Sequence, residues 1–252
     1  MDRALRGRIV DAQIQPDLVF AGDHTLYAVY PDRIDPLVNA LVLALFRGLG
    51  ERAIPGIVEL VPSYRALMIS FDPVAIDDAA LTRLVVDMAA VTRPDGVGRR
   101  TITLPVAYGG AHGPDLETVA HHAGLSPDDV IARHAGTLYD VFFLGFTPGF
   151  PFLGGLEPAL ATPRLATPRR RVAAGSVGIA SSQTGVYPVS SPGGWNIIGR
   201  TPVALFDPRR GMDADVLLRP GDRIRFQPIA PESFDARMAH PTPDRSMGEA
   251  AT

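Results

Sequence analysis

The sequence predicts an α+β protein in two parts, a ferredoxin-like βαββαβ domain over residues 1–98 and a β-barrel domain over residues 99–232, followed by a polar tail at 233–252. Three observations carry this expectation. Through Tyr108, strand and helix periods alternate in the order of a two-layer sandwich. After Leu138 the helical period disappears, and short apolar runs alternate with Gly, Pro and Asp turns, as in a closed barrel. At 252 residues, with 46% hydrophobic and 20% charged side chains, the chain is long and apolar enough for two cores.

The segment from Asp17 to Tyr30 reads as one strand interrupted at Gly22-Asp23. Asp35-Pro36 caps a helix whose apolar positions Leu37, Leu41, Ala44 and Leu45 recur at helical spacing until Gly48 to Gly50 stop it. Strands follow at Gly56 to Pro62 and Tyr64 to Phe71, joined around Pro62-Ser63. A second helix begins near Ile76-Asp77, carries Leu81, Leu84, Val85 and Met88 on one face, and ends by Pro94-Asp95-Gly96. With a linker at Pro94 to Gly98, the strand Arg100 to Tyr108 is free to close the first domain or open the second. Pro114 to Gly124 and Ser126 to Gly136 read as short helices, the latter with Ser126-Pro127 as cap and first turn. Barrel strands are expected within Tyr139 to Phe146, Ser176 to Ile179, Gly185 to Pro188, Asn196 to Arg200, Val203 to Phe206 and Arg223 to Gln227. The chain after Pro231 is polar and broken by prolines, and is expected to be loosely ordered.

Composition excludes several functions. A net charge of -3 and a pI near 6.1 give no overall attraction to nucleic acid or an anionic membrane surface. No apolar run approaches a spanning helix, and the first residues lack the apolar centre of a signal peptide, so a cytoplasmic location is expected. Cysteine is absent, and all 24 basic residues are arginine. Disulfides, thiolate chemistry, a Walker lysine, a Schiff-base lysine and a biotinylated lysine are therefore all missing from this chain.

Glycine and proline concentrate in Gly145 to Gly155, Ala174 to Gly178, Gln183 to Tyr187 and Ser190 to Gly194. Each block is a turn at a barrel corner or a stiff loop bordering a pocket. Phe146, Phe150, Phe152, Tyr187 and Trp195 fall in or beside them, which favours a ligand or partner surface. Phe146 to Gly155 is too broken for helix or strand. The stretch Ala173 to Gly178 lacks the G-x-S-x-G spacing of a nucleophile elbow, and no catalytic residue is assigned. Successive amides of Gly193, Gly194 and Trp195 form either an anion-binding nest or a surface turn. Arg169 and Arg171 share one face of the Arg169-Arg170-Arg171 run, which is either a solvated surface or a bidentate clamp for carboxylate or phosphate. Arg200 is a second candidate anion partner. The six histidines, His134 among them, show no metal-ligand spacing, and no metal site is expected. Asp77-Asp78 and Asp128-Asp129 stand at helix starts, where they complement the dipole.

The segments LPVAYGG, GPDLETVA, LGFTPGFPFLGGL, AAGSVGIA, QTGVYP, SSPGGWNIIGRTP, LFDP and PGDRIRF occur in that order from Leu104 to Phe226. With AGDHTLYAVY and PGIVELVPSYRALMISFDP in the first part, they make the chain resemble the family of the prokaryotic 5-oxoprolinase B subunit, also described as allophanate hydrolase subunit 1 or KipI-like. It departs at Ala173, where the family favours proline, at Ser181-Ser182, where glycine is common, and at Leu165. The resemblance implies a cyclophilin-like barrel and two partners, the KipA-like C subunit and the A subunit of 5-oxoprolinase. Together these open 5-oxo-L-proline to L-glutamate with ATP and Mg²⁺, which are held with the partner subunits and not by this chain alone. The residues read as the substrate- or partner-binding surface are Phe150, Phe152, Arg169, Arg171, Gln183, Ser191, Gly193, Gly194, Trp195 and Arg200. Other members imply inhibition of a sensor histidine kinase, or half of a biotin-dependent urea or allophanate-type carboxyltransferase. Without its partner, an exposed apolar face would favour a homo-oligomer.

Overall fold

A computed structural model describes residues 14–94, 100–207 and 216–239. The chain divides into two compact units, Met1–Val97 and Gly98–Thr252. The expected linker falls almost entirely outside the described residues, as does the chain beyond Ala239.

In the first unit, β1 (Asp17–Phe20) and β2 (Thr25–Val29) are followed by α1 (Pro36–Gly50), β3 (Ile57–Pro62), β4 (Ala66–Phe71) and α2 (Asp78–Val91). The interruption at Gly22-Asp23 is a hairpin turn: β1 folds back on β2 with Phe20 opposite Leu26. The antiparallel sheet runs β1-β2-β4-β3, so the element order is ββαββα rather than βαββαβ. Both helices begin at aspartate caps. The Asp35 carboxylate accepts from Leu37 N at 2.8 Å ahead of Pro36, and the Asp77 carboxylate accepts from Ala80 N at 2.7 Å. Alternation along β2 and β4 buries Leu26, Ala28, Leu67, Ile69 and Phe71 in a core with Val38, Val42, Leu45, Leu81, Val85 and Met88 from the helices.

The second unit opens with β5 (Thr101–Tyr108), so this strand belongs to the barrel and does not close the first sheet. Then come α3 (Leu116–Ala123), α4 (Pro127–Gly136), β6 (Leu138–Leu144), β7 (Pro151–Gly154), a single 3₁₀ turn (Pro158–Leu160), β8 (Arg169–Val172), β9 (Ser176–Ala180), β10 (Gln183–Val186), β11 (Ser191–Gly193), β12 (Asn196–Arg200), β13 (Arg223–Ile229) and α5 (Pro231–Ala239). Seven strands close in the order β10-β7-β6-β13-β5-β12-β9, with β9 pairing back to β10. The β13–β5 pair is parallel, and its neighbours are antiparallel. Strands β8 and β11 form a separate ribbon.

Three local expectations change. Pro151–Gly154, within a stretch read as loop, is a barrel strand paired on both sides, because proline is tolerated as a first strand residue. Val203 to Phe206 is irregular rather than a strand. Residues 231–239 form a helix in place of a loose tail, with Phe234 buried. The barrel is filled by Leu104, Val106, Tyr139, Val141, Leu153, Val177, Ile179, Val186, Ile198, Ile224 and Phe226, with Val119 and Val130 of α3 and α4 packed onto it. A second cluster gathers Phe150, Val172, Ala180, Tyr187, Trp195 and Ile197.

Candidate functional site

A cleft of about 350 Å³ lies between the segment Pro188–Ser190 and the irregular segment Thr201–Asp207. Its floor is Ala174-Gly175, and Arg200, the last residue of β12, stands in its wall. The floor requires glycine: Gly175 has φ +83°, and a Cβ there would meet the Thr201 carbonyl oxygen at 2.3 Å. Its N–H donates to Tyr187 O at 2.7 Å, and its carbonyl accepts from Thr201 N at 2.9 Å, which locks floor and wall together. Arg200 is held at two points. Its Nε donates to Ala174 O at 2.9 Å, and its guanidinium lies 5.3 Å from the centroid of the Phe234 ring. Pro188, Val189, Pro202, Val203 and Phe206 make most of the lining apolar, and Ser190, Thr201 and Asp207 add polar groups.

The sequence-predicted residues do not gather in one place. Arg200 lines the cleft, and Arg171 reaches its rim by donating from Nε to Ser190 Oγ at 3.0 Å. The neighbouring Ser191 Oγ is buried without a hydrogen-bond partner, an uncommon state for a hydroxyl. Phe150, Phe152 and Trp195 are in the aromatic cluster. Phe150 is 1% exposed and meets Tyr187 and Trp195 edge-on at 5.2 and 5.4 Å, so it packs the inside of this chain. Phe152 stacks on Phe143 at 4.5 Å. Gly193 makes room for this cluster, since a Cβ would meet the Tyr187 hydroxyl at 2.2 Å. Gly193 ends the strand Ser191–Gly193, and Gly194 and Trp195 form the irregular link to β12. Gly194 accepts from Leu165 N at 2.8 Å. Arg169 lies apart from the cleft, donating from Nη2 to Asp115 Oδ1 at 2.7 Å and from Nη1 toward Trp195 O at 3.5 Å. Gln183 is buried at the start of β10, opposite Ala180.

Sequence reasoning missed other residues that shape this region. Asp115, 7% exposed, binds Arg169 and also accepts from Ile197 N at 2.6 Å, tying the start of α3 to β12. Phe146 is the aromatic of its loop that faces solvent: it is 66% exposed on a backbone with φ +63° and meets Phe150 edge-on at 5.6 Å. Gly149 of the same loop abuts Phe206 and Pro188 of the cleft lining.

On α4, His134 is fully buried against the barrel. Its Nε2 lies 2.9 Å from Thr184 Oγ1, and its Nδ1 lies 2.8 Å from the Tyr108 hydroxyl. The Thr184 hydroxyl donates its one proton to Gly178 O at 3.0 Å, so its oxygen accepts from His134 Nε2–H. Nδ1 is then the acceptor for Tyr108. Burial pushes the His134 imidazole down to about 3, which keeps it neutral, and pushes the Tyr108 phenol up. No local signal marks His134 in the sequence, because a histidine in a helix's last turn reads as a dipole partner.

Among the described residues no three His, Asp or Glu side chains come together as a metal site, and no helix is long and apolar enough to cross a membrane.

Comparison with known proteins agrees with this architecture. The family model described as carboxyltransferase domain, subdomain C and D, matches residues 16–217. The 5-oxoprolinase B subunit of Bacillus subtilis (strain 168) is 41% identical over 226 residues, covering 85% of this chain and 93% of that protein. The 5-oxoprolinase B subunit of Escherichia coli O157:H7 is 46% identical over 177 residues, covering 69% of this chain and 79% of that protein. The crystal structure of the K. lactis urea amidolyase matches with a TM-score of 0.73 over 91% of this chain and 16% of that one. At 22% identity this last likeness is one of fold. By the family model and by these relatives, the chain belongs to the carboxyltransferase domain, subdomain C and D, family, alongside the B subunits of 5-oxoprolinase.

Proposed function

We propose that this chain is the B subunit of an ATP-dependent 5-oxoprolinase, acting in the cytoplasm with the A and C subunits to open the lactam of 5-oxo-L-proline to L-glutamate. One observation carries the reading: the 41% identity to the B. subtilis protein runs over 93% of that protein. In this reading the barrel is cyclophilin-like. The first unit is a variant of the ferredoxin-like plan, with the hairpin arm β1 taking the edge position beside β2.

A five-membered lactam is a stable amide, and adding water across its C–N bond near neutral pH needs an activated carbonyl. ATP supplies that activation when bound, by phosphorylating the carbonyl oxygen. The described residues of this chain do not fit a magnesium triphosphate. No group of three acidic or histidine side chains comes together among them, and Arg169 is paired with Asp115. No step is therefore assigned to a nucleotide on this chain, and the reading gives ATP and Mg²⁺ to the partner subunits. This chain's own contribution is a rigid wall that orients a small substrate and excludes water. Phe146, held out on a left-handed backbone, is the side chain offered to the KipA-like C subunit.

Reconstitution tests the reading. Glutamate release from 5-oxo-L-proline, dependent on ATP, is expected when this chain is mixed with the A and C subunits. It is expected to be lost when any one of the three is omitted. Equal release by the two partners without this chain overturns the proposal.

A further inference from the structure

The arginines of this unit are not held alike. Arg169, Arg100, Arg133 and Arg223 each face a carboxylate: Asp115, Asp222, Glu157 and Asp140 respectively. Arg200 faces none among the described residues. Its Nε is committed to a backbone carbonyl, and its charge rests over the Phe234 ring beside a cleft. Fixing a guanidinium at Nε leaves the edge formed by its two terminal nitrogens, whose parallel N–H groups match a carboxylate.

We propose that the cleft between Pro188–Ser190 and Thr201–Asp207 seats a small cyclic amide bearing a carboxylate, with Arg200 taking the carboxylate. The substrate class rests on the 5-oxoprolinase reading, while the cleft and its arginine stand on geometry. At about 350 Å³ the cleft lies at the lower end of the roughly 300–1,000 Å³ typical of small-molecule sites, which suits a single ring. Pro188, Val189, Pro202, Val203 and Phe206 supply apolar surface for ring methylenes. Asp207 adds a carboxylate to the same lining.

The placement is built in advance. The Arg200 backbone is paired with Ser176 of β9 on one side and Ala107 of β5 on the other. The floor at Gly175 is hydrogen-bonded to both Tyr187 and Thr201. Little ordering is then left for the ligand to drive, which favours affinity for a molecule with few atoms.

Binding of 5-oxo-L-proline and of 2-pyrrolidinone, the same ring without the carboxylate, is measured by calorimetry on the full chain and on the complex reconstituted with the A and C subunits. The wild type is expected to prefer 5-oxo-L-proline. Arg200→Met is expected to lose about 10- to 100-fold of that preference, the worth of a charge-assisted pair, and Arg200→Lys to recover part of it. In turnover assays the loss is expected mainly in KM rather than kcat. Ala204→Phe, which fills the cleft without touching the charge, is expected to weaken both ligands, and it decides the matter should Arg200→Met fail to fold. Equal binding of the two rings, unchanged preference in Arg200→Met, or no saturable binding of 5-oxo-L-proline by either preparation overturns the proposal. If the complex releases no glutamate yet binding remains dependent on Arg200, the functional reading falls and the cleft assignment stands.

Discussion

His134 of α4, buried against the barrel, and Arg200 at the cleft are both polar groups set among apolar side chains, and they are satisfied in opposite ways. Every hydrogen-bonding position of the His134 ring is used, by Tyr108 on one side and Thr184 on the other, and the ring stacks on Phe226 at 4.7 Å. Arg200 has one nitrogen bound to Ala174 O and the rest of its fork beside open space. A saturated buried group serves the fold, since breaking it strands its partners without solvent. A charged group with spare donors next to a cleft is available to a ligand. The first kind should control stability and the second binding.

The largest expected effect tests the saturated side. The His134 imidazole sits at about 3 in the folded chain and near its ordinary 6.5 when unfolded, so between those values the unfolded chain binds more protons. The contribution of neutral His134 is complete above about pH 6.5 and falls by about 1.4 kcal/mol per unit toward pH 3, a loss of about 5 kcal/mol in all. His134→Gln, which keeps a donor toward Thr184 but does not titrate, should flatten this part of the acid limb in urea unfolding followed across pH. A wild-type profile already flat there would place His134 among ordinary exposed histidines.

Asp115 comes next. Asp115→Ala removes the partner of both Arg169 and Ile197 N and should cost about 2 kcal/mol, less than a wholly buried pair because the Arg169 side chain is 34% exposed. A drop in chemical stability smaller than about 0.5 kcal/mol would remove it from the saturated class. Arg200→Met should cost only about 1 kcal/mol, from the loss of one hydrogen bond and a cation–π contact, while its ligand preference collapses. A stability loss as large as that of Asp115→Ala would make Arg200 a structural residue and erase the contrast. Smallest of all in stability, Phe146→Gly should change unfolding by less than about 0.5 kcal/mol yet weaken co-elution with the C subunit. Undiminished co-elution would show that this exposed ring is not a contact.

Much of the fold could be read locally. Asp35-Pro36, Asp77 and Ser126-Pro127 mark helix starts that the structure places there, because a cap depends on residues within one turn. The sheet faces of β2 and β4 follow from alternation. Pairing was harder to read. The pause at Gly22-Asp23 fits an interrupted strand or a hairpin equally well, and only the presence of an edge beside β2 selects the hairpin. Pro151–Gly154 becomes a strand because β6 and β10 flank it, a gain no window of the sequence contains.

The candidate site divides in the same way. The absence of lysine, the clustering of glycine and proline with aromatics, and the candidacy of Arg200 were all present in the residue order. Whether an arginine is consumed by a carboxylate or left beside a cleft depends on partners far away in sequence. Arg169 meets Asp115, 54 positions before it, whereas Arg200 meets Ala174 and Phe234 and, among the described residues, no acid. Local rules govern what a segment can become, because caps, turns and periodicity act within a few residues. Which charges are spent, which rings are buried and where space remains are properties of packing, since those energies arise between residues that only the closed barrel brings within reach.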